Sequence, residues 1–259
     1  MKRLLIILTA AWTLTGCGLL TSINWNEDAL ASAAGKAVTA VSITDEQIAE
    51  LCAQSIATLD QQNTIDNGTY FTRLKKLLDG VSVKGLPLNF KVYKTDEINA
   101  FASGDGSIRV YTGLMDVMTD DELMAIIGHE IGHVVHQDTK NAMKKAYMTS
   151  AAADLIGAAG SVGAVAHSMA GQIAEAYVNA QFSQKQEYAA DDFGFEFAVQ
   201  TGHSPYSMCN ALEKLVSLSQ GSQASAVAQM FSSHPDSAKR AARIKSKAES
   251  YLSSAKKQK

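Results

Sequence analysis

Two short motifs far apart in the chain constrain its fold more than any other feature. The first is His129-Glu130-Ile131-Gly132-His133 and the second is Glu187-Tyr188-Ala189-Ala190-Asp191. Residues four apart on a helix are separated by about 400° of rotation, so His129 and His133 project from one face and can hold one metal ion. Glu187 can join them only if its helix packs against theirs. The fold must therefore bring these two helices together.

A zinc ion held by His129, His133 and Glu187 would keep one tetrahedral position open for water, as catalytic zinc sites require. Zinc lowers the pKa of water from about 16 to about 7, and Glu130 lies where it can accept the proton. Asp191 is predicted to accept the free ring N–H of His129 and fix its tautomer. The sequence predicts one Zn²⁺ per chain with Glu130 as general base. The alternative is a pair of ordinary histidines and two surface carboxylates.

The N-terminus has the features of an exported lipoprotein. Two basic residues precede an apolar run, residues 4–14, that is too short to span a bilayer. The run ends at Leu14-Thr15-Gly16-Cys17, which resembles a bacterial lipobox. Residues 1–16 are therefore predicted to be a signal peptide and Cys17 a membrane anchor; a plain secretory signal is the alternative. Gly18 favours the outer membrane, facing the periplasm, over retention at the inner membrane.

Composition divides the rest of the chain into three parts. Residues 17–41 are predicted to be a tether, residues 42–251 a single domain and residues 252–259 a basic tail. A hydrophobic content of 46% permits one sizeable core, and a formal net charge of -3 gives no case for nucleic-acid binding. The Ala- and Gly-rich residues 141–181 favour a packed helix over a membrane span. Two remaining cysteines, Cys52 and Cys209, could pair or stay separate.

Hydrophobic periodicity predicts several helices and two strands that precede the helix of the first motif, which together indicate a mainly α (α+β) domain. Thr44 and Gln47 form a capping box at the start of the first helix, and acidic residues from Asp120 begin the motif helix. The further predicted elements are helices Tyr70–Leu78, Ser183–Gln200, one from Pro205 and Ser237–Tyr251, and strands Leu88–Tyr93 and Ser107–Tyr111.

The chain resembles a known metallopeptidase family in more than the two motifs. Further matching segments are Asn99-Ala100-Phe101-Ala102, Ile108–Leu114, Phe182-Ser183-Gln184, and Ser233-His234-Pro235 with Arg240. They are similar to the gluzincin family that includes HtpX, BepA, LoiP and the CAAX prenyl proteases, and the resemblance covers most of residues 43–244. It implies a zincin-like fold, with a mainly helical body and a small β-sheet beside the helix of the first motif, and zinc endopeptidase activity.

The same resemblance implies roles for residues outside the two motifs. Ser107–Tyr111 would be an edge strand that pairs with an extended substrate, or else an ordinary sheet strand. His234 would stabilise the oxyanion formed during peptide hydrolysis. Arg240 would orient the His234 loop or hold a carboxylate. The other histidines have no such pattern and are predicted to be structural or exposed: His136, His167 and His203.

Two functions are compatible with these features. The leading hypothesis is a lipid-anchored zinc endopeptidase that cleaves unfolded or misassembled envelope proteins, with residues 168–186 as a cover over the cleft. The alternative is a non-catalytic chaperone or assembly factor for outer-membrane proteins with a structural zinc. A structural zinc needs a fourth protein ligand. The sequence near the motifs offers no obvious one, and the presence of Glu130 favours the enzyme.

Overall fold

The computed structural model describes residues 44–139 apart from residue 84, residues 181–257, and a few single positions elsewhere. Of two compact units, one comprises residues 1–42 and 147–166, and the other comprises residues 43–146 and 167–259. All helices and strands considered below belong to the second unit. The predicted leader, Cys17, the tether and most of residues 141–181 lie outside the described residues. None of the described helices is both long and apolar enough to cross a bilayer.

The described elements alternate helices with a small sheet and then continue as helices. The helices are α1 (Asp45–Gln62), α2 (Thr69–Leu77), α3 (Thr112–Val117), α4 (Asp120–Val135), α5 (Gln184–Gln200), α6 (Ser207–Ser219), α7 (Ala228–Ser233) and α8 (Ser237–Lys257). The strands are β1 (Ile65–Asp66), β2 (Asn89–Tyr93), β3 (Ala100–Ala102) and β4 (Ser107–Tyr111). The predicted mainly α (α+β) fold is confirmed.

The sheet has the order β1-β2-β4-β3, with β2 and β4 parallel and the other two pairs antiparallel. The prediction that β4 is the edge strand is therefore wrong, because β4 lies between β2 and β3. The strand beyond it is β3, which pairs with β4 through Ala100 and Val110 and through Ala102 and Ile108. Three residues are too short a run to give a recognisable strand pattern. It is β3 that packs against α4.

Helix α4, which carries the first motif, is fixed at its start by a capping box. Thr119 N–H donates to Glu122 Oε2 over 2.8 Å, and Glu122 N–H donates to Thr119 Oγ1 over 3.3 Å. Acidic residues in the first turn also complement the positive end of the helix dipole. The apolar face of α4, which includes Leu123, Ile127 and Ile131, is buried in the main core. The motif residues therefore lie on a rigid, buried helix.

Glycines allow α4 and α5 to approach until backbone meets backbone or an aromatic ring. A Cβ built on Gly194 of α5 would lie 2.7 Å from the carbonyl oxygen of Ala125 and 2.9 Å from the backbone nitrogen of His129. A Cβ on Gly128 of α4 would lie 2.7 Å from the ring of Phe197. All three distances are shorter than real Cβ contacts, so any side chain at these positions would force the two helices apart.

Helix α1 is joined to the outer face of the sheet by a buried ion pair that no sequence pattern predicted. Arg109 donates from Nε and Nη2 to the two carboxylate oxygens of Asp60 over 2.8 and 3.0 Å. Lys91 and Tyr93 donate to the same carboxylate over 2.7 and 2.8 Å. Burial alone would raise the pKa of Asp60, but the hydrogen bonds from Arg109, Lys91 and Tyr93 outweigh it and lower the pKa to about 2.

Most predicted elements are confirmed to within about two residues. The capping box of Thr44 and Gln47 is present, and Ser183 is the N-cap of α5. Helix α8 continues to Lys257, so residues 252–257 of the predicted basic tail are helical. The short elements β1, β3, α3 and α7 were not predicted. Both buried cysteines, Cys52 and Cys209, are free, so the two do not pair.

Replacement of Asp60 by Asn should lower the free energy of unfolding by about 2–3 kcal/mol, because Arg109 would keep its buried charge without a carboxylate partner. Asp60 has an ordinary pKa of 3.8 and a folded pKa of about 2. Its stabilisation is therefore fully present above about pH 4 and is lost as the pH falls through about 2. Urea unfolding at several pH values measures both effects.

Glu50→Gln is the matched control, since it makes the same charge change at an exposed position of the same helix. It should change the free energy of unfolding by less than about 0.5 kcal/mol. If Asp60→Asn and Glu50→Gln gave equal stabilities at pH 7, the ion pair of Asp60 would have no role in holding α1 on the sheet.

Candidate metal centre

Three parts of the chain converge on one buried site. Helix α4 contributes His129, Glu130 and His133, the first turn of α5 contributes Glu187, and the turn before α8 contributes His234. One ligand atom from each of His129, His133, Glu187 and His234 lies within 4.8 Å of the other three. All five side chains are buried. The predicted ligands are therefore brought together, and His234 lies among them.

Short distances join the ligand atoms of this group. His129 Nε2 lies 3.2 Å from His133 Nε2, and His133 Nε2 lies 3.3 Å from Glu187 Oε1. His234 Nδ1 lies 3.2 Å from His129 Nε2 and 3.1 Å from Glu187 Oε1. Such spacing is that of atoms facing a common centre rather than of independent hydrogen-bonded pairs.

Asp191 lies next to His129 and is itself held by Arg240. The distance from His129 Nδ1 to Asp191 Oδ1 is 3.0 Å. Arg240 donates to both oxygens of Asp191, from Nε over 2.9 Å and from Nη2 over 2.6 Å, and its Nη1 pairs with Glu187. Burial would raise the pKa of Asp191, but Arg240 and His129 lower it to about 2. Burial lowers the pKa of His129, which favours the neutral imidazole that binds metals.

Asp138 plays the corresponding part beside His133, and no sequence pattern predicted it. The distance from His133 Nδ1 to Asp138 Oδ2 is 2.9 Å. Burial would lower the pKa of His133, but the hydrogen bonds to Asp138 and Glu187 outweigh it and raise the pKa to about 9. The only signal in the sequence is an acidic residue shortly after the end of α4, which is a common feature of helix ends.

The donor chemistry of this group fits a divalent metal ion. Because Nδ1 of His129 faces Asp191 and Nδ1 of His133 faces Asp138, the N–H of each neutral ring lies on Nδ1. Each Nε2 then carries a lone pair, and the two lone pairs face each other and an oxygen of Glu187. Converging lone pairs repel unless a proton or a metal cation lies between them, and the raised pKa of His133 reflects a proton in this place when no metal is bound. Two imidazoles and a carboxylate are ligands that suit zinc.

Glu130 lies beside this group and has a buried oxygen without a hydrogen-bond donor among the described residues; the other such carboxylate oxygen there, Oε2 of Glu187, has Arg240 as an ion-pair partner. Oε1 of Glu130 is buried and accepts no hydrogen bond from any described residue. His234 Nε2 lies 3.5 Å away, which is beyond good hydrogen-bond distance. A buried carboxylate oxygen without a donor is costly. Glu130 is therefore placed to accept a proton or a hydrogen bond from a group that enters the site.

His234 lies in the ligand group although it is far from the two motifs in the sequence. The sequence near the two motifs offers no obvious fourth ligand, but the fold brings Nδ1 of His234 to face the other ligand atoms. Tertiary contacts hold it there: Arg240 Nη1 donates to the carbonyl oxygen of His234 over 3.3 Å, and Gln184 Nε2 donates to Asp236 over 3.0 Å. Sequence spacing could not reveal a residue that tertiary structure delivers from a distant turn.

Phe182 covers the site from the segment that leads into α5. Its ring stacks on that of His133, with centroids 4.0 Å apart and planes inclined by 17°. Its backbone N–H donates to the carbonyl oxygen of Ser233 over 3.3 Å, next to His234. Of the predicted cover, residues 168–186, only residues 181–186 are described. The structure therefore shows the end of that segment in contact with the site.

The remaining histidines lie away from the ligand group or outside the described residues. His136 is exposed at the end of α4. His203 Nδ1 lies 2.7 Å from Asp121 Oδ1 at the far end of that helix. His167 lies in the part of the chain that is not described. On α5, Asp192 pairs with Arg243 and Lys247, on a different side of the helix from Asp191.

Comparison with known proteins agrees with this geometry. The family model for peptidase family M48 matches residues 66–248. The chain is 40% identical to metalloprotease LoiP of Escherichia coli (strain K12), over 94% of this chain and 95% of LoiP. It is 37% identical to metalloprotease YcaL of the same strain, over 94% of this chain and 96% of YcaL.

A more distant relative is the beta-barrel assembly-enhancing protease of the same strain, which is 31% identical over 58% of this chain and 32% of that protein. The metallopeptidase family indicated by the motifs is thus confirmed, and with it the zincin-like fold. Membership of this family implies a metal, and the His129, His133, Glu187 and His234 group could bind one. The chain belongs to peptidase family M48 and is a metalloprotease.

Proposed function

We propose that this metalloprotease is a zinc endopeptidase that cleaves unfolded or misassembled proteins of the bacterial cell envelope. The observation that carries the proposal is the convergence of three ligand atoms beside a buried, unsatisfied carboxylate oxygen of Glu130. A hydrolytic site needs a group that can take a proton from water, and Glu130 has the free acceptor atom for it.

In this proposal His129, His133 and Glu187 hold one Zn²⁺ per chain. Bound zinc would supply a Lewis acid and lower the pKa of water into the neutral range. Asp191 fixes the tautomer of His129 through Nδ1, and Arg240 offsets the negative charge of Asp191 and Glu187. Arg240 thereby keeps two buried carboxylates ionised.

Glu130 acts as general base and then as general acid. Its carboxylate accepts a proton from the attacking water and returns it to the amine that leaves when the peptide bond breaks. His234 lies on the same side of the site, with Nε2 directed at Glu130. We assign His234 to the oxyanion that forms on the peptide carbonyl, where an imidazole N–H stabilises the developing charge.

Access to Glu130 is restricted because the residues of the site are buried. Glu130 is 3% exposed and His133 is 1% exposed, and the ring of Phe182 lies on His133. Because the ring of Phe182 covers His133, we infer that Phe182 is displaced when a peptide carbonyl enters the site. Such gating would restrict cleavage to chains that can insert an extended segment, which unfolded proteins do and compact domains do not. This supports unfolded or extended polypeptides as the substrates.

We also propose that the protein is anchored by a lipidated Cys17 in the outer membrane, facing the periplasm. The lipobox-like Leu14-Thr15-Gly16-Cys17 and the following Gly18 support this location. A relative named beta-barrel assembly-enhancing protease supports envelope proteins as the substrate class and envelope assembly proteins as partners. An anchored protease would meet misassembled proteins at the membrane surface.

One observation favours a second function, that of a non-catalytic chaperone or assembly factor. His234 provides a fourth donor atom within 4.8 Å of the other three, as a closed structural zinc site requires. A closed site has no open position for water. The two functions differ in the roles that they give to Glu130 and His234, and substitution of each residue separates them.

Glu130→Gln should abolish proteolysis while leaving the metal site loaded. The amide keeps the shape of the side chain but cannot accept the proton, so the rate of cleavage of an unfolded protein such as casein should fall by about 10²–10⁴-fold. Zinc content after purification should match that of the unmodified chain. The measurement is casein cleavage with zinc determined in parallel, and with a chelator-treated sample that should also be inactive.

The matched control is Glu249→Gln, at an exposed position of α8. It should leave the cleavage rate unchanged. Equal cleavage by Glu130→Gln and the unmodified chain would rule out Glu130 as the general base. If both Glu130→Gln and the unmodified chain bound zinc but neither cleaved casein, the non-catalytic function would be favoured.

His234→Phe should reduce kcat/KM by about 10²-fold, because it keeps a ring of similar shape but removes the N–H that we assign to the oxyanion. The Kd for Zn²⁺ should change by less than about threefold, since three ligands remain. The two quantities are measured on the same preparation. A large loss of zinc affinity would instead identify His234 as a fourth ligand and would support the structural site.

Cys17→Ser should release the protein from the membrane, because the lipid chains that would anchor it attach to that thiol. Most of the protein should move from the membrane fraction to the soluble periplasmic fraction. Gly18→Asp should move it from the outer to the inner membrane, whereas Gly18→Ser should leave it in place. Membrane retention of Cys17→Ser would exclude lipid anchoring at this residue.

A further inference from the structure

Two residues outside the recognised motifs, Asp138 and Gln186, join the helix of the histidines to the helix of Glu187. Asp138 Oδ2 lies 2.9 Å from His133 Nδ1, and Asp138 Oδ1 accepts a hydrogen bond from Gln186 Nε2 over 2.7 Å. Asp138 is 4% exposed. Because Gln186 directly precedes Glu187, the Asp138 carboxylate connects the ring of His133 to the helical turn that carries Glu187.

Both ends of the Gln186 amide are engaged, which fixes its orientation. Its Oε1 accepts hydrogen bonds from the backbone N–H of Ser183 over 2.9 Å and from the Ser183 hydroxyl over 2.7 Å. These contacts form the capping box at the start of α5. Since the oxygen must face the N–H donor of Ser183, the NH₂ group must face Asp138. The cap of α5 therefore also determines where Asp138 lies.

An unusual backbone conformation brings Asp138 under His133. Helix α4 ends at Val135 with His136 as its C-cap, and Gln137 follows in the left-handed region with φ of 62°. A residue with a side chain rarely adopts this conformation, and such strain is concentrated at functional sites. The left-handed turn reverses the chain, so that Asp138 packs against the helix that it has just left.

The environment of Asp138 differs from that of Asp191, which contacts the other histidine. Asp191 accepts two hydrogen bonds from the charged guanidinium of Arg240, whereas Asp138 accepts one hydrogen bond from the neutral amide of Gln186. A carboxylate that is less compensated withdraws the ring proton more strongly and makes the opposite nitrogen a better metal ligand. Of the two histidines, His133 therefore has the stronger support from its carboxylate.

We propose that Asp138 and Gln186 are positioning residues for the metal centre. Asp138 fixes the Nδ1–H tautomer and the ring orientation of His133. Gln186 holds Asp138 in register with the first turn of α5, so that His133 Nε2 and Glu187 Oε1 are presented 3.3 Å apart as one preformed pair. Neither residue touches the metal or the substrate. The inference rests on the zinc site of the proposed function and adds the contacts that hold two of its ligands in position.

The test is the Kd for Zn²⁺ of the purified full-length chain, measured by competition with a chromophoric chelator after removal of metal. Asp138→Asn keeps the size of the side chain but loses its charge, and the Kd should rise by about 10–100-fold. Gln186→Glu keeps an acceptor for the capping box but replaces the N–H donor with a second carboxylate facing Asp138. Its Kd should rise by about tenfold.

Lys185→Gln is the matched control, because it also lowers the charge by one unit in the same helical turn, at an exposed position. A more negative surface attracts a cation, so electrostatics alone would leave the Kd of both variants unchanged or lower it. A higher Kd in Gln186→Glu but not in Lys185→Gln would support the bridge. Equal behaviour of these two variants would overturn it.

The visible absorption of bound Co²⁺ provides a second readout that general destabilisation would not change, because it reports ligand geometry. Asp138→Asn and Gln186→Glu should shift the absorption band, and Lys185→Gln should not. If Asp138→Asn does not fold, as judged by circular dichroism of the metal-free chain, Gln186→Glu decides alone. Failure of the unmodified chain to bind zinc would contradict the proposed function, whereas tight binding that neither variant alters would contradict only this inference.

Discussion

The close packing of α4 against α5 is the constraint on which the site depends. Gly194 places the backbone of α5 against Ala125 and His129, and no larger residue fits there. This approach brings Glu187 Oε1 within 3.3 Å of His133 Nε2. A shift of one carbon-carbon distance would move the carboxylate out of reach of an ion held by the histidines, since metal–ligand distances vary by only about 0.2 Å. The motifs supply ligands, and the glycine contact makes them a site.

Charge balance explains why this many ionisable groups can share a buried space. Glu187 and Asp191 are both buried, and Arg240 pairs with both of them. The remaining problem is how positive charge is placed between the converging ring nitrogens of His129, His133 and His234 and the oxygen of Glu187; in the metal-free chain, protons on the rings supply it. A divalent cation resolves it directly. Metal binding and stability of this region should therefore be coupled, because the folded chain presents ligands that favour the loaded state.

The sequence was sufficient wherever the geometry follows from the period of one helix. His129 and His133 share a face because they are four residues apart, and Thr44 and Gln47 form a cap because they are three apart. It was insufficient wherever two elements meet. The pairing of Asp60 with Arg109 depends on how α1 lies on the sheet. The position of β4 between β2 and β3, and the arrival of His234 at the ligand group, likewise depend on tertiary contacts.

The character of Glu130 decides between the two functions that the ligand group permits. A closed site of four protein donors would make a neighbouring base unnecessary, and an apolar residue would then avoid the cost of a buried, unsatisfied carboxylate oxygen. Glu130 instead occupies that position with Oε1 lacking a donor among the described residues. A group that opposes stability where it stands is typical of a catalytic residue that receives its partner only when substrate and water enter. The chemistry of Glu130 thus favours hydrolysis over a structural metal.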